Sequence, residues 1–268
     1  MLRISNLHKT FFHGTPNEKK ALRGVDLVLE EGDWVTVIGS NGSGKSTLMN
    51  CIAGMFMPDK GKILIGGVDV TNMPEHKRAK YIGRVFQDPM LGTAAEMQVG
   101  ENLAMASRRG MPLSLKWSAD PAQTKSFTEA LAELDLGLES RLTTRIGTLS
   151  GGQRQAITLL MATLVKPSIL LLDEHTAALD PKTAEKVLNL TKKRVEAGHL
   201  TTLMITHNMR DALRFGNRLI MMHNGKVIID VRGEDKQNLT ITSLLEMFEK
   251  ASGMEFDNPE AIFTTPAQ

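Results

Sequence analysis

The run Trp34-Val35-Thr36-Val37-Ile38 leads into Gly39-Ser40-Asn41-Gly42-Ser43-Gly44-Lys45-Ser46-Thr47, and then into Leu48-Met49-Asn50-Cys51-Ile52-Ala53. The first five residues are apolar and β-branched, as a buried strand requires. The last six continue as a helix that starts near Lys45. Between them the sequence fits G-x-x-x-x-G-K-[ST], a loop built to hold phosphate. Gly39, Gly42 and Gly44 permit tight backbone dihedrals and let amide N–H groups turn inward toward oxygen anions. Ser40, Asn41, Ser43 and Thr47 complete the stretch and are candidates for the same phosphates. The helix start adds the positive end of its dipole. Lys45 is placed to reach the β- and γ-phosphates, and the Ser46 hydroxyl to bind Mg²⁺. A strand before and a helix after make this more than a glycine turn that precedes a lysine. The loop alone does not separate an ATPase from a GTPase or a kinase.

Outward from this loop, the 268 residues suffice for one large domain or two smaller ones. A net charge of +2 argues against nucleic acid as a partner and against a polybasic membrane anchor. The single cysteine, Cys51, excludes an internal disulfide and fits a reducing compartment. Its place in the helix after the loop suits a small buried apolar residue. No apolar run approaches the roughly 18 residues of a membrane span, and no signal peptide is read at the N-terminus. Any membrane role is therefore expected to run through partners, with the chain peripheral at the cytoplasmic face.

Strand patterns occur at residues 2–5, 25–29, 62–65 and 81–86, with a loop over 13–20. From 87 to 165 the pattern turns helical, notably over 99–108 and 123–136, with a connector over 110–121 that holds Trp117. Strands return at 169–172 and 202–205, separated by a helix from Pro181 to about Ala197. Residues 219–222 and 227–229 flank Asn224-Gly225, a type I′ hairpin signal. A helix over 242–250 precedes a tail over 252–268. Helices alternating with buried strands predict an α/β fold with a mostly parallel sheet, an antiparallel β part and an inserted helical subdomain. The expected division is 1–87 and 166–235 for the α/β core, 88–165 for the helical subdomain, and 236–268 for a C-terminal helix and tail.

Two further motifs carry chemistry. Ile169-Leu170-Leu171-Leu172-Asp173-Glu174 delivers two carboxylates at the carboxyl end of a buried strand, where open α/β sheets bind ligands. Asp173 is a candidate for Mg²⁺, and Glu174 for polarising a water; general-base help of this kind gives about 10² to 10⁴-fold in rate. Leu149-Ser150-Gly151-Gly152-Gln153 opens a helix with small residues and makes a second anion-ready N-terminus. An ordinary helix start would explain Ser150 as N-cap but not the pentapeptide.

The glycine loop, the 149–153 pentapeptide and the 172–174 carboxylates, in this order and spacing, resemble the nucleotide-binding subunit of ATP-binding cassette (ABC) proteins over roughly residues 1–235. The resemblance implies a P-loop NTPase core that hydrolyses ATP with Mg²⁺. It identifies Gln87 with the Q-loop glutamine, a further Mg²⁺ contact, Ala178-Leu179-Asp180 with the D-loop, and His207 with the switch histidine. Phe11 matches the aromatic residue that stacks on adenine, with Phe12 as the other candidate and core packing as the plain alternative for Phe11. It also implies two cassettes facing head to tail, a homodimer or a pair of related ATPases. Ser150, Gly151, Gly152 and Gln153 of one chain would then close on ATP held by the other. The sequence departs from the family at His175, where Pro is usual, at Ala177, where Ser is frequent, and in having Phe for the commoner Tyr at the stacking position. His175 marks a resemblance to bacterial uptake systems that work with an extracytoplasmic substrate-binding protein, some handling amino acids, aromatic ones among them.

Three readings compete: a transporter ATPase with a separate permease, a soluble cassette ATPase such as an iron–sulfur assembly or DNA-repair motor, and a P-loop enzyme outside the family, which the 149–153 signature excludes; an exporter ATPase subunit is a further alternative. One cassette copy, no zinc-finger insertion and no basic surplus argue against translation-factor and DNA-repair types. Arg145-Ile146-Gly147-Thr148 lacks the acidic residue typical of exporters before the signature. The best fit is a compact uptake-system ATPase. Residues 88–101, with Met90, Leu91, Ala94, Ala95, Met97 and Val99, are the expected docking surface for the permease.

Overall fold

The computed structural model describes residues 1–111 and 121–252. The connector expected over 110–121 and the tail over 252–268 lie, but for their edges, outside the described residues. In chain order the elements are β1 (Leu2–Phe11), β2 (Lys19–Leu29), β3 (Trp34–Ile38), α1 (Lys45–Ala53), β4 (Lys60–Ile65), β5 (Val68–Asp69), α2 (Glu75–Arg78) and β6 (Ile82–Val85). Then come α3 (Val99–Ser107), α4 (Pro121–Ala132), α5 (Gly151–Leu164), β7 (Ile169–Asp173), α6 (Pro181–Gly198) and β8 (Thr202–Ile205). The last are α7 (Met209–Arg214), β9 (Arg218–His223), β10 (Lys226–Arg232), α8 (Gly233–Gln237) and α9 (Ile241–Ser252). Short 3₁₀ turns lie at Pro89–Gly92 and Ile146–Thr148.

Two compact units result: Met1–Arg78 with the chain from Thr201 onward, and Ala79–Leu200. In the first unit β3 is buried at every residue and pairs in parallel with β8 on one side and β9 on the other. A strand with two neighbours and two covered faces reads as an unbroken apolar run, which is why Trp34 to Ile38 was legible. β9 turns back into β10 through Asn224 and Gly225, whose φ of 47° and 75° give the type I′ turn. One core cluster joins Ile38, Leu219 and Met221 to Met209 and Ala212 of α7 and to Leu244 and Phe248 of α9. A separate antiparallel sheet runs β2-β1-β4-β5. β1 extends to Phe11 and β2 starts at Lys19, both beyond the predicted strands. Asn6, at φ 47°, accompanies a register shift between Ile4 and Leu7, and Gly24 has φ 79°. Each break resets the alternation on which a sequence reading depends.

In the second unit β6 and β7 pair in parallel from Ile82↔Ile169 to Val85↔Leu172. Helix α5 packs on β6, and a Cβ at Gly83 would stand 2.4 Å from the Ala162 carbonyl of that helix. α3, α4 and α6 also pack against α5. Within residues 88–101, Pro89–Gly92 forms a 3₁₀ turn capped by Asp88, whose Oδ1 accepts from Met90 N at 2.8 Å. Helices α2, α7 and α8 were not read from the sequence; each has four to six residues, too few to show a period.

Candidate functional site

The loop between β3 and α1 is shaped by its glycines. Gly39, Gly42 and Gly44 have φ of 148°, 79° and 108°. A Cβ at Gly39 would lie 2.2 Å from the Met222 carbonyl oxygen, and one at Gly44 2.6 Å from that of Ala21. Both the dihedral and the wall therefore exclude a side chain. Lys45 is buried, and its Nζ donates to the carbonyls of Gly39 at 2.7 Å and Ser40 at 3.2 Å. The ammonium thus arches over the loop that precedes it. The Ser43 Oγ is buried with no hydrogen-bond partner. α1 has no acidic residue in its first turn, so the positive pole of the helix stands unopposed. Asn41, Gly42 and Ser46 are exposed, and Thr47 is half-buried. A glycine cradle, an orphaned hydroxyl, a lysine and a helix N-terminus fit a polyphosphate, and the exposed Ser46 hydroxyl fits a hard cation beside it.

His207 follows β8 and is half-buried. Its neighbour Asn208 caps α7, accepting at Oδ1 from Arg210 N at 2.9 Å, and its own amide donates to Thr206 Oγ1 at 3.0 Å. Phe11 is half-buried and meets Phe56 edge-on, with ring centroids 5.2 Å apart. Phe12 is 69% exposed, with a left-handed backbone at φ 54°.

In the second unit, β7 ends at Asp173, whose Oδ2 accepts from Arg84 Nη2 at 3.4 Å. Glu174 comes next, half-buried and at φ 45°. His175 is buried and its Nε2 lies 3.0 Å from Thr191 Oγ1; burial pushes its pKa down to about 4. Asp180 caps α6, accepting from Thr183 N at 3.1 Å, and the hydroxyl and amide of Thr183 hold its carboxyl below the usual range. Ser150 caps α5 and exchanges bonds with Gln153 in a capping box. Gln153 Nε2 also donates to the Leu136 carbonyl at 3.2 Å. Ser150 and Gly151 are exposed, while Gly152 is buried where a Cβ would meet Thr183 Cγ2 at 2.1 Å. Gln87 is exposed two residues after β6.

Two residues that brace these elements escaped the sequence reading. Gln155 is buried and donates from Nε2 to the Phe86 carbonyl at 3.0 Å, which pins the stem of Gln87 to the signature helix. The signal was present: Gln155 shares a helical stripe with Gly152, Ala156 and Leu159, all buried. Arg154 donates to the carbonyls of Gly147 at 2.9 Å and Leu149 at 3.2 Å, bracing the turn before the signature. Nothing in its immediate sequence marks it.

The comparisons with known proteins agree with this geometry. The sequence profile described as ABC transporter matches residues 22–177. The tyrosine transport ATP-binding protein of Clostridioides difficile (strain R20291) is 46% identical over 94% of this chain and 100% of its own length. An energy-coupling factor transporter ATP-binding protein of Clostridium tetani is 32% identical over 91% of this chain and 83% of its own length. Among solved structures, the dimeric bacterial ABC transporter cassette MJ0796 superposes with a TM-score of 0.74 at 30% identity, covering 87% of this chain and 98% of that one. The ADP form of the cassette MJ1267 gives 0.73 at 30% identity, over 92% and 98%. The fold is that of P-loop NTPases, with parallel and antiparallel strands and an inserted helical subdomain.

Proposed function

Because the chain belongs to the ABC transporter family of ATP-binding cassettes, ATP-binding and ATP-hydrolysing proteins, we propose that it energises uptake of an amino-acid-like solute, tyrosine foremost, through a separate permease. The carrying observation is that one chain presents two helix starts ready for anions: α1 behind the glycine cradle and α5 behind Ser150. Full-length similarity to a tyrosine transport ATP-binding protein supports the substrate class. The working assembly in this reading is a pair of cassettes on the cytoplasmic face of the membrane, bound to permease subunits and served by an extracytoplasmic binding protein. Among the described residues no helix is long and apolar enough to cross a membrane.

The loop from Gly39 to Thr47 holds the phosphates, and Lys45 exchanges its carbonyl partners for phosphate oxygens. Phe11 or Phe12 stacks on adenine, worth about 1–3 kcal/mol in base–aromatic cases. Ser46, Gln87 and Asp173 would hold Mg²⁺ in this reading, and the ion would supply charge neutralisation for the phosphates. Glu174 takes a proton from the attacking water, and His207 senses the γ-phosphate. Ser150 to Gln153, with Asp180, serve the ATP of the facing chain. Glu174→Gln is the test: ATP binding persists, steady-state hydrolysis is lost, and a closed ATP-bound dimer accumulates. Undiminished turnover would remove Glu174 from this role. For the substrate, a strain lacking the chain should lose uptake of labelled tyrosine; unchanged uptake of tyrosine would sink that assignment.

A further inference from the structure

His175 stands one residue beyond Glu174, and nothing in its chemistry requires a histidine to fill space. Its ring is buried, with Nε2 3.0 Å from Thr191 Oγ1. Thr191, also fully buried, donates its one hydroxyl proton to the Val187 carbonyl at 2.8 Å. A hydroxyl whose proton is committed can only accept from the imidazole. His175 therefore carries a proton on Nε2 and donates it to Thr191. The bond joins the segment after β7 to the third turn of α6.

The backbone beside it is unusual. Glu174 has φ 45°, in the left-handed region that a residue with a Cβ adopts only at a cost. The turn closes through Ala177 N donating to the Glu174 carbonyl at 2.9 Å, and Leu179 N donating to that of Thr176 at 3.2 Å. It ends at Asp180, the cap of α6. A strained dihedral persists where its surroundings over-determine it, and here the His175 side chain ties the turn to α6 through its hydrogen bond to Thr191.

We infer that His175 is a positioning residue for hydrolysis: its hydrogen bond to Thr191 fixes the left-handed turn from which the Glu174 carboxylate projects, and so sets where that carboxylate meets water. The inference rests on Glu174 being the base. Loss of the bond removes no group of the phosphate loop. Turnover should fall while nucleotide affinity holds, because general-base catalysis depends on placement to within a hydrogen bond.

The test is ATP turnover, KM for ATP, nucleotide affinity and thermal unfolding for the full chain and five variants. Thr191→Val keeps the shape and deletes the acceptor; Thr191→Ser keeps the acceptor. His175→Leu deletes the donor; His175→Gln keeps an N–H at a similar reach. Expected is a kcat about tenfold lower in Thr191→Val and His175→Leu, with KM and affinity within about twofold, and recovery in Thr191→Ser and His175→Gln. Full kcat in Thr191→Val and His175→Leu would overturn the inference. So would loss of kcat and affinity together in step with unfolding, or a Thr191→Ser no better than Thr191→Val. Glu174→Gln separates the two levels. Turnover retained there overturns the base and this inference with it. An inactive Glu174→Gln beside a fully active Thr191→Val overturns the role of His175 alone.

Discussion

Arg78 is fully buried, yet each of its five N–H groups has an acceptor. Nε donates to the Met73 carbonyl at 2.6 Å, Nη1 to those of Cys51 at 2.7 Å and Ile52 at 2.9 Å, and Nη2 to Thr71 O at 2.9 Å and Met57 Sδ at 3.8 Å. Burial lowers its pKa, but the carbonyls that close α1 supply the compensating negative charge. Arg78→Met leaves those oxygens short of donors and should cost about 2–4 kcal/mol in urea unfolding. Arg78→Lys, with three donors in place of five, should cost less; an unchanged midpoint in Arg78→Met would refute the clamp. Lys236 is a second buried cation, bonded to the carbonyls of Phe215 and Gly216 beyond α7. Burial depresses its pKa from 10.5 to about 8. Between those values the unfolded chain binds the extra proton, so stability due to this group rises as pH climbs from 8 to 10.5. The gain is on the order of 1 kcal/mol, since the carbonyls favour the charged form and oppose burial. Cys51, whose thiol burial pushes up to about 11, acts in the opposite sense above pH 9. The measurement is therefore the difference between wild type and Lys236→Met at pH 7.5 and 9.5, and a difference independent of pH would count against it.

The two helices proposed to offer their N-termini to phosphate share a device at the other end. Neither α1 nor α5 has a basic residue in its last turn. Arg78 serves the carbonyls of α1, and Arg109 serves those of α5, donating to Ala162 O at 2.8 Å and to Val165 O. In the sequence each arginine looks like a surface cation, because the helix-end carbonyls it serves belong to residues at least 26 positions away. Local pattern carries no trace of such a bond. The same limit applies to residues 88–101, where composition suggested a docking surface but could not sort inside from outside. Val99 is fully buried, Ala94, Ala95 and Met97 are half-buried, and Met90 and Leu91 stand 41% and 70% exposed on the 3₁₀ turn. Met90 also touches Arg154 through its sulfur, so Leu91 is the cleaner probe. Leu91→Glu should leave ATP binding intact and abolish co-purification with the permease. Full assembly with coupled transport in this variant would exclude the turn as the docking element.

At the scale of the molecule, the motifs and the strands at β3, β7 and β8 were legible because buried parallel strands and phosphate loops tolerate few residue types. Pairing between two copies leaves no such mark, since it rests on surface left open rather than on residues packed. The structure narrows how to test it. Gly151 is exposed, and a Cβ there would find only Leu179 Cδ2, at 3.4 Å, an ordinary contact. Gly152 would collide with Thr183 at 2.1 Å, so a lesion at 152 would confuse folding with function. Gly151→Asp therefore places a carboxylate against incoming phosphate without disturbing the packing of α5. Lys45→Ala removes the cation of the phosphate loop. In a heterodimer of these two chains, a signature acting across the pair puts both lesions in one composite site and leaves the other whole. That pair should close on one ATP, while each mutant homodimer closes on none. A signature acting within its own chain would damage both sites, and purified heterodimers that hold no ATP between subunits would decide for it. Nucleotide occlusion is the measurement to make, because it reads a single intact site, whereas steady-state hydrolysis can require two.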